Sequence, residues 1–181
     1  MKVFYICFED LRIQAAWTTH IREVTENLIK LGHDVVLFAP DFGLFHFNTT
    51  AKVVSVPTWN IGFLREYIYY FSLAAYILYY HCKIKADIFY VREMALSIVP
   101  FFLSKLLRTP HIIEINGLIS ADHTLHSLKP WKMRLFETFQ KFNVETANMV
   151  IVQTKGLKTK LMQLYSVAHN KIAIIENGAN T

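Results

Sequence analysis

The feature that most constrains the fold is a regular alternation between short, continuously apolar segments and longer segments with helical periodicity. The apolar segments are rich in Val, Ile, Phe and Tyr, which favour strands. Uninterrupted apolar runs of this kind are typical of parallel strands that are covered by helices on both faces. The segments that we predict to be strands are 3–8, 34–40, 52–57, 86–93, 110–117, 149–154 and 171–175.

Helical segments separate most of these strands. In the first one, apolar residues recur at spacings of three or four and therefore share one face: Ile21, Val24, Leu28 and Leu31. Thr18 or Thr19 is predicted to cap this helix, and Gly32 to end it in the left-handed conformation. Two further helices are predicted at 61–82 and 95–108. Another begins at Pro130 and has an apolar face of Leu135, Phe139 and Phe142, beside Phe136. The last predicted helix follows a cap at Thr154.

Together these elements predict an α/β domain with a doubly wound, mostly parallel, seven-stranded, Rossmann-like sheet over residues 1–181. Apolar residues make up 53% of the chain and charged residues 18%, which excludes a disordered chain. Cys7 and Cys82 are predicted to be buried thiols in a reducing compartment. No signal peptide is visible, so we expect a cytoplasmic protein.

The net charge of +5 resides in the second half of the chain. Residues 1–90 contain eight basic and eight acidic residues, whereas residues 91–181 contain eleven and six. A basic half indicates either an anionic partner or a solvated basic face. We expect no nucleic-acid partner, because the aromatic residues that would stack on bases lie mainly in the neutral half.

Glycine spacing argues against the common nucleotide-binding fingerprints. The six glycines are too far apart for GxGxxG or a P-loop, and no GxSxG elbow is present. The segment 122–126, DHTLH, has no second ligand pair at a suitable spacing, so we expect a loop and no metal site. Ligands of doubly wound sheets bind beyond the carboxyl ends of the strands, which points to the loops 9–19, 92–95, 116–128 and 153–156.

The segment 67–82 contains six tyrosines and no charged residue. As a helix it is about 24 Å long, shorter than the ~30 Å hydrocarbon core of a bilayer. We therefore predict a helix that is buried against the sheet. A helix on a membrane surface or against a partner is the alternative, because tyrosine suits an apolar–water boundary.

The serial order of five segments resembles a known enzyme family. These are THIREVTENLIKLGHDVVLFAP, ADIFYVRE, PHIIEING, ANMVIVQTKGLKTKL and KIAIIENGAN. Together they resemble the N-terminal half of the two-domain GT-B glycosyltransferases, of the retaining family 4 type that includes sucrose synthase and bacterial mannosyl- and glucosyltransferases. The most telling segments are LGHDV and ENGAN, and the second is similar to the element that closes the family's N-terminal domain.

This resemblance implies transfer of a sugar from a nucleotide-sugar donor to a glycan or lipid-linked acceptor, with retention and without a cofactor or metal. It also implies that a C-terminal, donor-binding domain is missing from this chain. The chain itself would then supply the acceptor side and be inactive alone. An anionic membrane surface is a further partner that it suggests, with the protein peripheral on the inner face of the cell membrane. A stand-alone, non-enzymatic Rossmann-like binding or regulatory module is the alternative.

The resemblance also indicates candidate residues in the loop after the first strand. The Gly-Gly pair of the family aligns with Ala15 and Ala16, whose Cβ atoms disfavour a close approach to donor phosphates. Trp17, beside Thr18, is predicted either to stack on the acceptor or to cover the core.

Asn116, followed by Gly117, stands where the family often has a histidine near the reacting sugar. An amide hydrogen-bonds a sugar hydroxyl but takes no proton. The resemblance makes Asn116 a candidate catalytic residue, and a simple Asn-Gly turn is the alternative. Arg92 and Glu93 are predicted either to contact the acceptor or to be solvated loop charges.

Two basic features complete the candidate set. Lys155 is predicted to attract a phosphate, next to the cap at Thr154. Lys129, Lys132 and Arg134 form either a surface that meets anionic lipid or a solvated face.

Overall fold

The structure is a computed structural model that describes residues 1–43, 47–59, 64–93, 97–119 and 130–176, without the side chain of Glu66. Its strands are β1 (Lys2–Ile6), β2 (Asp34–Asp41), β3 (Lys52–Pro57), β4 (Ile88–Arg92), β5 (His111–Ile115), β6 (Met149–Val152) and β7 (Ile172–Ile174). Its helices are α1 (Ala16–Lys30), α2 (Arg65–Ile84), α3 (Ile98–Leu106), α4 (Pro130–Thr146) and α5 (Lys155–Tyr165), with a 3₁₀ turn (His169–Lys171) before β7. The predicted strands and helices are confirmed, with ends that differ by a few residues.

The strands form one sheet in the order β3-β2-β1-β4-β5-β6-β7, and every neighbouring pair is parallel. The predicted doubly wound, Rossmann-like fold is therefore confirmed. The strand order reverses between β1 and β4, where the connections leave in opposite directions. A crevice at the carboxyl ends of the strands is expected at this point.

Alternating side chains of β1 are buried on the two faces of the sheet. Phe4 and Ile6 pack in the cluster that includes α2, whereas Val3 and Tyr5 pack in the cluster that includes α1. Ile21 of α1 is fully buried in the second cluster, as its helical spacing predicts. A third cluster joins β5, β6 and β7 to α4 and α5. These layers hold the carboxyl ends of β1, β4 and β5 side by side.

Helix α1 begins earlier than its threonines predict. Its N-cap is Ala15, in an extended conformation, so the predicted cap at Thr18 or Thr19 is wrong. Thr18 instead lies in the first turn, where its hydroxyl accepts a hydrogen bond from the Ala15 N–H at 3.0 Å. The predicted end is confirmed, because Gly32 follows the helix with a φ of +82°, which a side chain would strain.

Helix α2 has one buried and one exposed apolar face. The fully buried residues Tyr69, Leu73 and Ile77 confirm the predicted packing against the sheet. The opposite face exposes Tyr67, Phe71, Leu78 and Tyr79. None of the described helices combines the length and hydrophobicity that crossing a bilayer requires. Cys7 is buried as predicted, but Cys82 is exposed on α2, so the prediction of two buried thiols is wrong for Cys82.

Helix α4 begins at Pro130, as predicted, but its most buried face is polar. Leu135, Phe136, Phe139 and Phe142 are only half-buried. Gln140, Asn143 and Val144 are the buried residues of the helix. The predicted apolar face is therefore only half-buried, because two amide side chains take the innermost positions.

Candidate functional site

The last residue of β4 and the fourth residue of β5 form a buried ion pair at the carboxyl edge of the sheet. Arg92 and Glu114 are in register on the two strands, and Arg92 Nη1 lies 3.1 Å from Glu114 Oε1. Arg92 Nε also donates to Glu9, which lies just beyond β1. One guanidinium therefore links the three central strands at the point where the strand order reverses.

Glu114 collects further polar partners around this pair. His20 Nε2, on α1, lies 2.8 Å from Glu114 Oε1. The Tyr90 hydroxyl donates to Glu114 Oε2 at 2.8 Å, and Gln153 Nε2, after β6, donates to Oε1 at 3.2 Å. We call this set the ionic cluster: Glu9, His20, Tyr90, Arg92, Glu114 and Gln153.

The ionic cluster keeps the carboxyl of Glu114 ionised although it is buried. Burial alone would raise the pKa of Glu114, but the hydrogen bond from His20 and the positive charge of Arg92 outweigh burial and lower it. For Glu9 burial wins and raises the pKa, even though Arg92 acts against it. The positive side chain of Arg92 thus lies between two carboxyls whose pKa values shift in opposite directions.

A second polar cluster lies on the other face of the same strand ends. Gln140 Nε2 donates to Glu93 Oε2 at 2.7 Å and to the Gly117 carbonyl at 3.0 Å. The Tyr165 hydroxyl donates to Gln140 Oε1 at 3.0 Å, and fully buried Asn143 completes the set. We call Glu93, Gln140, Asn143 and Tyr165 the amide cluster. It contains no basic side chain.

Burial within the amide cluster keeps Glu93 protonated at neutral pH. Burial raises its pKa to about 8, and the hydrogen bond from Gln140 lowers it only in part. Glu93 Oε1 is enclosed and has no hydrogen-bond partner among the described residues. Burial, together with the charge of Glu93, also raises the pKa of the Tyr165 hydroxyl to about 12. A proton on Glu93 removes the cost of burying an uncompensated charge.

The solvated-charge alternative for Arg92 and Glu93 is wrong. Arg92 is 8% exposed and binds Glu9 and Glu114, while Glu93 binds inward to Gln140. All their contacts within the described ranges are internal. Contact between either residue and an acceptor stays a prediction.

Asn116 and Gly117 lie directly beyond β5, between the two clusters. Asn116 is exposed, and its Oδ1 accepts a hydrogen bond from Gln153. Gln153 in turn binds Glu114, so the exposed amide is held by the ionic cluster. The described part of the chain offers no partner to Asn116 Nδ2, which leaves that donor available. The catalytic role of Asn116 stays a prediction.

The loop after β1 places its candidate residues at the start of α1. Ala15 is half-buried, and its N–H is already bound to Thr18. Thr18 is buried and donates its hydroxyl hydrogen to a loop carbonyl. Ala16 is exposed, and Trp17 is 42% exposed, so its indole is open to a ligand. The binding roles of these four residues stay predictions.

The predicted cap of α5 is confirmed. Thr154 Oγ1 accepts from the Leu157 N–H at 3.1 Å. Lys155 is exposed, and together with Lys158 and His169 it lines an open cleft of about 680 Å³ between α5 and β7. Its predicted phosphate contact stays untested.

The other candidate residues are only partly described. Arg134 is exposed on α4, and Lys132 lies with its Nζ 5.5 Å from the centre of the Trp131 ring. Lys129 and the DHTLH segment at 122–126 lie outside the described residues. Among the residues that are described, no three His, Cys, Asp or Glu side chains are grouped as metal ligands.

The structure adds residues that the sequence patterns did not single out: His20, Tyr90, Glu114, Gln140 and Gln153. A signal was present for Glu114, because a carboxylate inside an apolar strand must find partners when the strand is buried. Gln140, within the aromatic face of α4, carried a similar signal. No comparable signal marked His20 or Gln153, which reach the site through tertiary structure.

Comparison with models of protein families identifies one family. The model of Glycosyltransferase Family 4 matches residues 18–181. No curated protein sequence matches the chain significantly.

Among solved structures, sucrose-phosphate synthase from Thermosynechococcus elongatus is similar, with a TM-score of 0.76 and 13% identity over 99% of this chain and 48% of that one. HepE from Anabaena, in complex with UDP-glucose, has a TM-score of 0.67 and 14% identity over 99% and 44%. A glycosyltransferase from Rickettsia africae has a TM-score of 0.62 and 16% identity over 99% and 43%. The present chain thus spans about half the length of these proteins.

Proposed function

The chain belongs to glycosyltransferase family 4, and from this premise we propose that it is the acceptor-side domain of an enzyme that transfers a sugar from a nucleotide-sugar donor with retention. The acceptor is a glycan or a lipid-linked molecule, as in polysaccharide or glycolipid biosynthesis. The donor is held mainly by a second, C-terminal domain. The observation that carries the proposal is the coverage: 99% of this Rossmann-like chain aligns with less than half the length of the similar solved structures.

The donor assignment draws support from HepE, which binds UDP-glucose and UDP. The loop after β1 has few groups in this chain that could bind a diphosphate. The N–H of Ala15 is bound to Thr18, and Ala16 carries a Cβ where the family has glycine. A donor phosphate therefore needs positive groups or backbone N–H donors from elsewhere.

The acceptor side of the reaction is assigned to the exposed groups around the two clusters. Asn116 offers its Nδ2 to an acceptor hydroxyl, while Gln153 and the ionic cluster hold its Oδ1. Trp17 offers an apolar ring at the start of α1. Arg92, Glu93 and Glu114 act as positioning residues, because their described contacts point inward. Such preorganisation fixes acceptor geometry before the donor arrives.

Calorimetric titration of the 181-residue chain with UDP-glucose and GDP-mannose tests the division of labour. We expect no heat of binding at a ligand concentration of about 1 mM, since the donor site lies elsewhere. Binding at a micromolar dissociation constant, about −8 kcal/mol, contradicts the proposal. The variant Lys155→Ala is the control, because it removes the predicted phosphate contact and should weaken any residual binding of the donor phosphates.

A stand-alone binding or regulatory module is the competing proposal. It predicts that the protein functions without a second α/β domain. Reading the gene past codon 181 separates the two accounts. Continued coding for a second α/β domain supports the enzyme, whereas a stop codon directly after Thr181 supports the module.

We also propose an anionic membrane surface as a partner, with contact through α2 and α3. The support is that each helix exposes a phenylalanine: Phe71 of α2 is 84% exposed and Phe102 of α3 is 59% exposed. Exposed lysines flank these side chains at the ends of the two helices: Lys83, Lys85 and Lys105. Apolar side chains with flanking basic residues suit the interface of an anionic bilayer.

Flotation with vesicles of phosphatidylglycerol and phosphatidylcholine tests this contact. We expect the chain to float with anionic vesicles at low salt. The double variant Phe71→Ser, Phe102→Ser should remain in the unbound fraction at the bottom of the gradient. The variant Leu164→Ser removes an exposed apolar side chain from α5, so it is the matched control and should float like the unchanged protein. Absence of flotation at low salt contradicts the membrane proposal but leaves the enzymatic one standing.

A further inference from the structure

Two clefts lie along the carboxyl edge of the sheet on the side of β2 and β3, and they share one arginine. The first, of about 540 Å³, is lined by the loop after β1 and the first turns of α1, including Arg12, Ala15 and Thr18. The second, of about 520 Å³, lies beyond the ends of β2 and β3. Both volumes fall in the range of small-molecule sites. Arg12 lines both clefts, so the two adjoin at its side chain.

The second cleft combines an open aromatic ring with donors and acceptors of both charges. Trp59, directly after β3, lines it and is 66% exposed. Asp41 lines it too and uses Oδ1 to accept from the Gly43 N–H at 2.9 Å. Arg12 and Arg65 supply N–H donors on the remaining walls.

The two arginines are fixed in place by contacts inside the protein. Arg12 forms an ion pair with Asp10 at 2.7 Å and donates Nη1 to the Phe42 carbonyl. The guanidinium of Arg65 lies 4.9 Å from the centre of the Phe42 ring and 5.7 Å from that of Phe8. The stacked guanidinium of Arg65 keeps its edge N–H groups available for a ligand, whereas the nitrogens of Arg12 already donate to Asp10 and Phe42.

The charges of this cleft are balanced, which decides between ligand classes. Arg12 is paired with Asp10, and Arg65 lines the cleft together with Asp41, so these four side chains carry no net positive charge that would favour a phosphate. A neutral sugar fits better. The C–H face of a sugar stacks on an indole ring. Sugar hydroxyl groups donate to carboxylates and accept from guanidinium groups.

We propose that the cleft of Trp59, Asp41, Arg12 and Arg65 is a subsite for a neutral sugar residue of a glycan acceptor, with Trp59 as its stacking platform. This inference rests on the proposed function and adds the class of acceptor: an uncharged oligosaccharide. The non-reacting end of the glycan occupies the second cleft. The chain then passes Arg12 into the first cleft, beside the start of α1, toward Asn116.

Saturation-transfer NMR with neutral trisaccharides tests the subsite directly. The probes are maltotriose, cellotriose, mannotriose and chitotriose, with glucose 6-phosphate and inorganic phosphate as anionic probes. We expect at least one trisaccharide to bind the 181-residue chain. The variant Trp59→Ala should bind it at least about tenfold more weakly, as expected for the loss of a central tryptophan contact. The matched control Trp131→Ala removes an exposed tryptophan from α4 and should bind unchanged.

Three results overturn the subsite. They are the absence of trisaccharide binding, equal binding by Trp59→Ala with an unchanged circular dichroism spectrum, and binding of the anionic probes alone. A different result overturns the proposed function. It fails if no nucleotide-sugar supports transfer by the longer protein that contains this chain, even when trisaccharides bind through Trp59. If transfer occurs and Trp59→Ala leaves the acceptor KM unchanged, the subsite fails and the function stands.

Discussion

Two adjacent residues, Arg92 and Glu93, lie on opposite faces of the sheet and are buried in different charge states. Arg92 is a paired cation, whereas Glu93 is a neutral carboxyl. Arg92 lies between two carboxyls, and the ionic cluster keeps Glu114 ionised. Among the described residues, the side chain of Glu93 meets amides and a phenol, and burial raises its pKa to about 8. The same edge of the sheet therefore carries a paired charge on one face and a neutral carboxyl on the other. Glu93 and Glu114 are both buried, and they differ in charge state because only Glu114 has a cation beside it.

The difference also separates two mechanical roles. The ionic cluster joins β1, β4, β5, α1 and the end of β6 through charged contacts, which are strong and directional. The amide cluster joins β4 and β5 to α4 and α5 through neutral hydrogen bonds. Asn116 lies between them, and its side chain is held from the ionic side. We therefore expect changes in the ionic cluster to disturb acceptor geometry more than changes in the amide cluster.

The largest expected effect comes from removing the shared cation. Arg92→Leu leaves Glu9 and Glu114 buried without their counter-ion, and we expect it to lower the free energy of unfolding by about 3–5 kcal/mol at pH 7. Urea unfolding followed by circular dichroism measures this. Arg22→Leu, which removes an exposed arginine paired with Glu23, is the control and should cost less than about 1 kcal/mol. A loss below about 1 kcal/mol for Arg92→Leu contradicts the ionic cluster.

The next effect is a pH dependence that belongs to Glu93. Its pKa is raised in the folded protein, so the folded state binds more protons than the unfolded state between about pH 4.5 and 8. Stability from this group is therefore present below pH 4.5 and is lost as the pH rises toward 8. Glu93→Gln removes the titration, so the variant should be more stable than the unchanged protein by about 1–3 kcal/mol at pH 8 and should lose this advantage near pH 5.

Comparison of the two proteins at each pH isolates Glu93, because other groups cancel. His111 titrates in the opposite sense: burial lowers its pKa to about 4, so its contribution rises with pH up to about 6.5. Glu114, with a lowered pKa, loses its contribution only in acid. A stability difference between Glu93→Gln and the unchanged protein that stays constant from pH 5 to pH 8 contradicts the protonated state.

The smallest effect is a matched pair of hydroxyl deletions. Tyr90→Phe removes a hydrogen bond to the ionised Glu114, and Tyr165→Phe removes one to the neutral amide of Gln140. We expect losses of about 2 kcal/mol for the first and about 1 kcal/mol for the second, because hydrogen bonds to charged groups are stronger. Thermal unfolding of the two variants measures the order. The reverse order shows that the two clusters do not differ as described.

The fold was predictable because its signals are local. Continuous apolar runs such as β2, and the helical spacing that buries Ile21, each fix an element from a few neighbouring residues. The start of α1 was missed because Thr18 acts from inside the helix, where its hydroxyl binds back to the Ala15 N–H. The exposure of Cys82 was missed because α2 turns an apolar face away from the sheet.

The candidate site was harder to predict because its contacts join residues that are distant in sequence. Glu114 meets His20 and Gln153, 94 and 39 positions away, and no local pattern carries that pairing. The polar face of α4 was hidden by its aromatic residues, although Gln140 takes the buried position. Asn116 was found through family resemblance, and only tertiary structure connects it to the ionic cluster through Gln153.

The most direct test of the central claim is to map both substrates on the isotope-labelled 181-residue chain by amide chemical shifts. The account predicts that a neutral trisaccharide shifts the resonances around Arg12, Asp41 and Trp59. It also predicts that UDP-glucose at about 1 mM leaves the carboxyl edge of β1, β4 and β5 unchanged. Saturable shifts at that edge with UDP-glucose at micromolar concentration, and none with any trisaccharide, contradict the claim that this domain holds the acceptor.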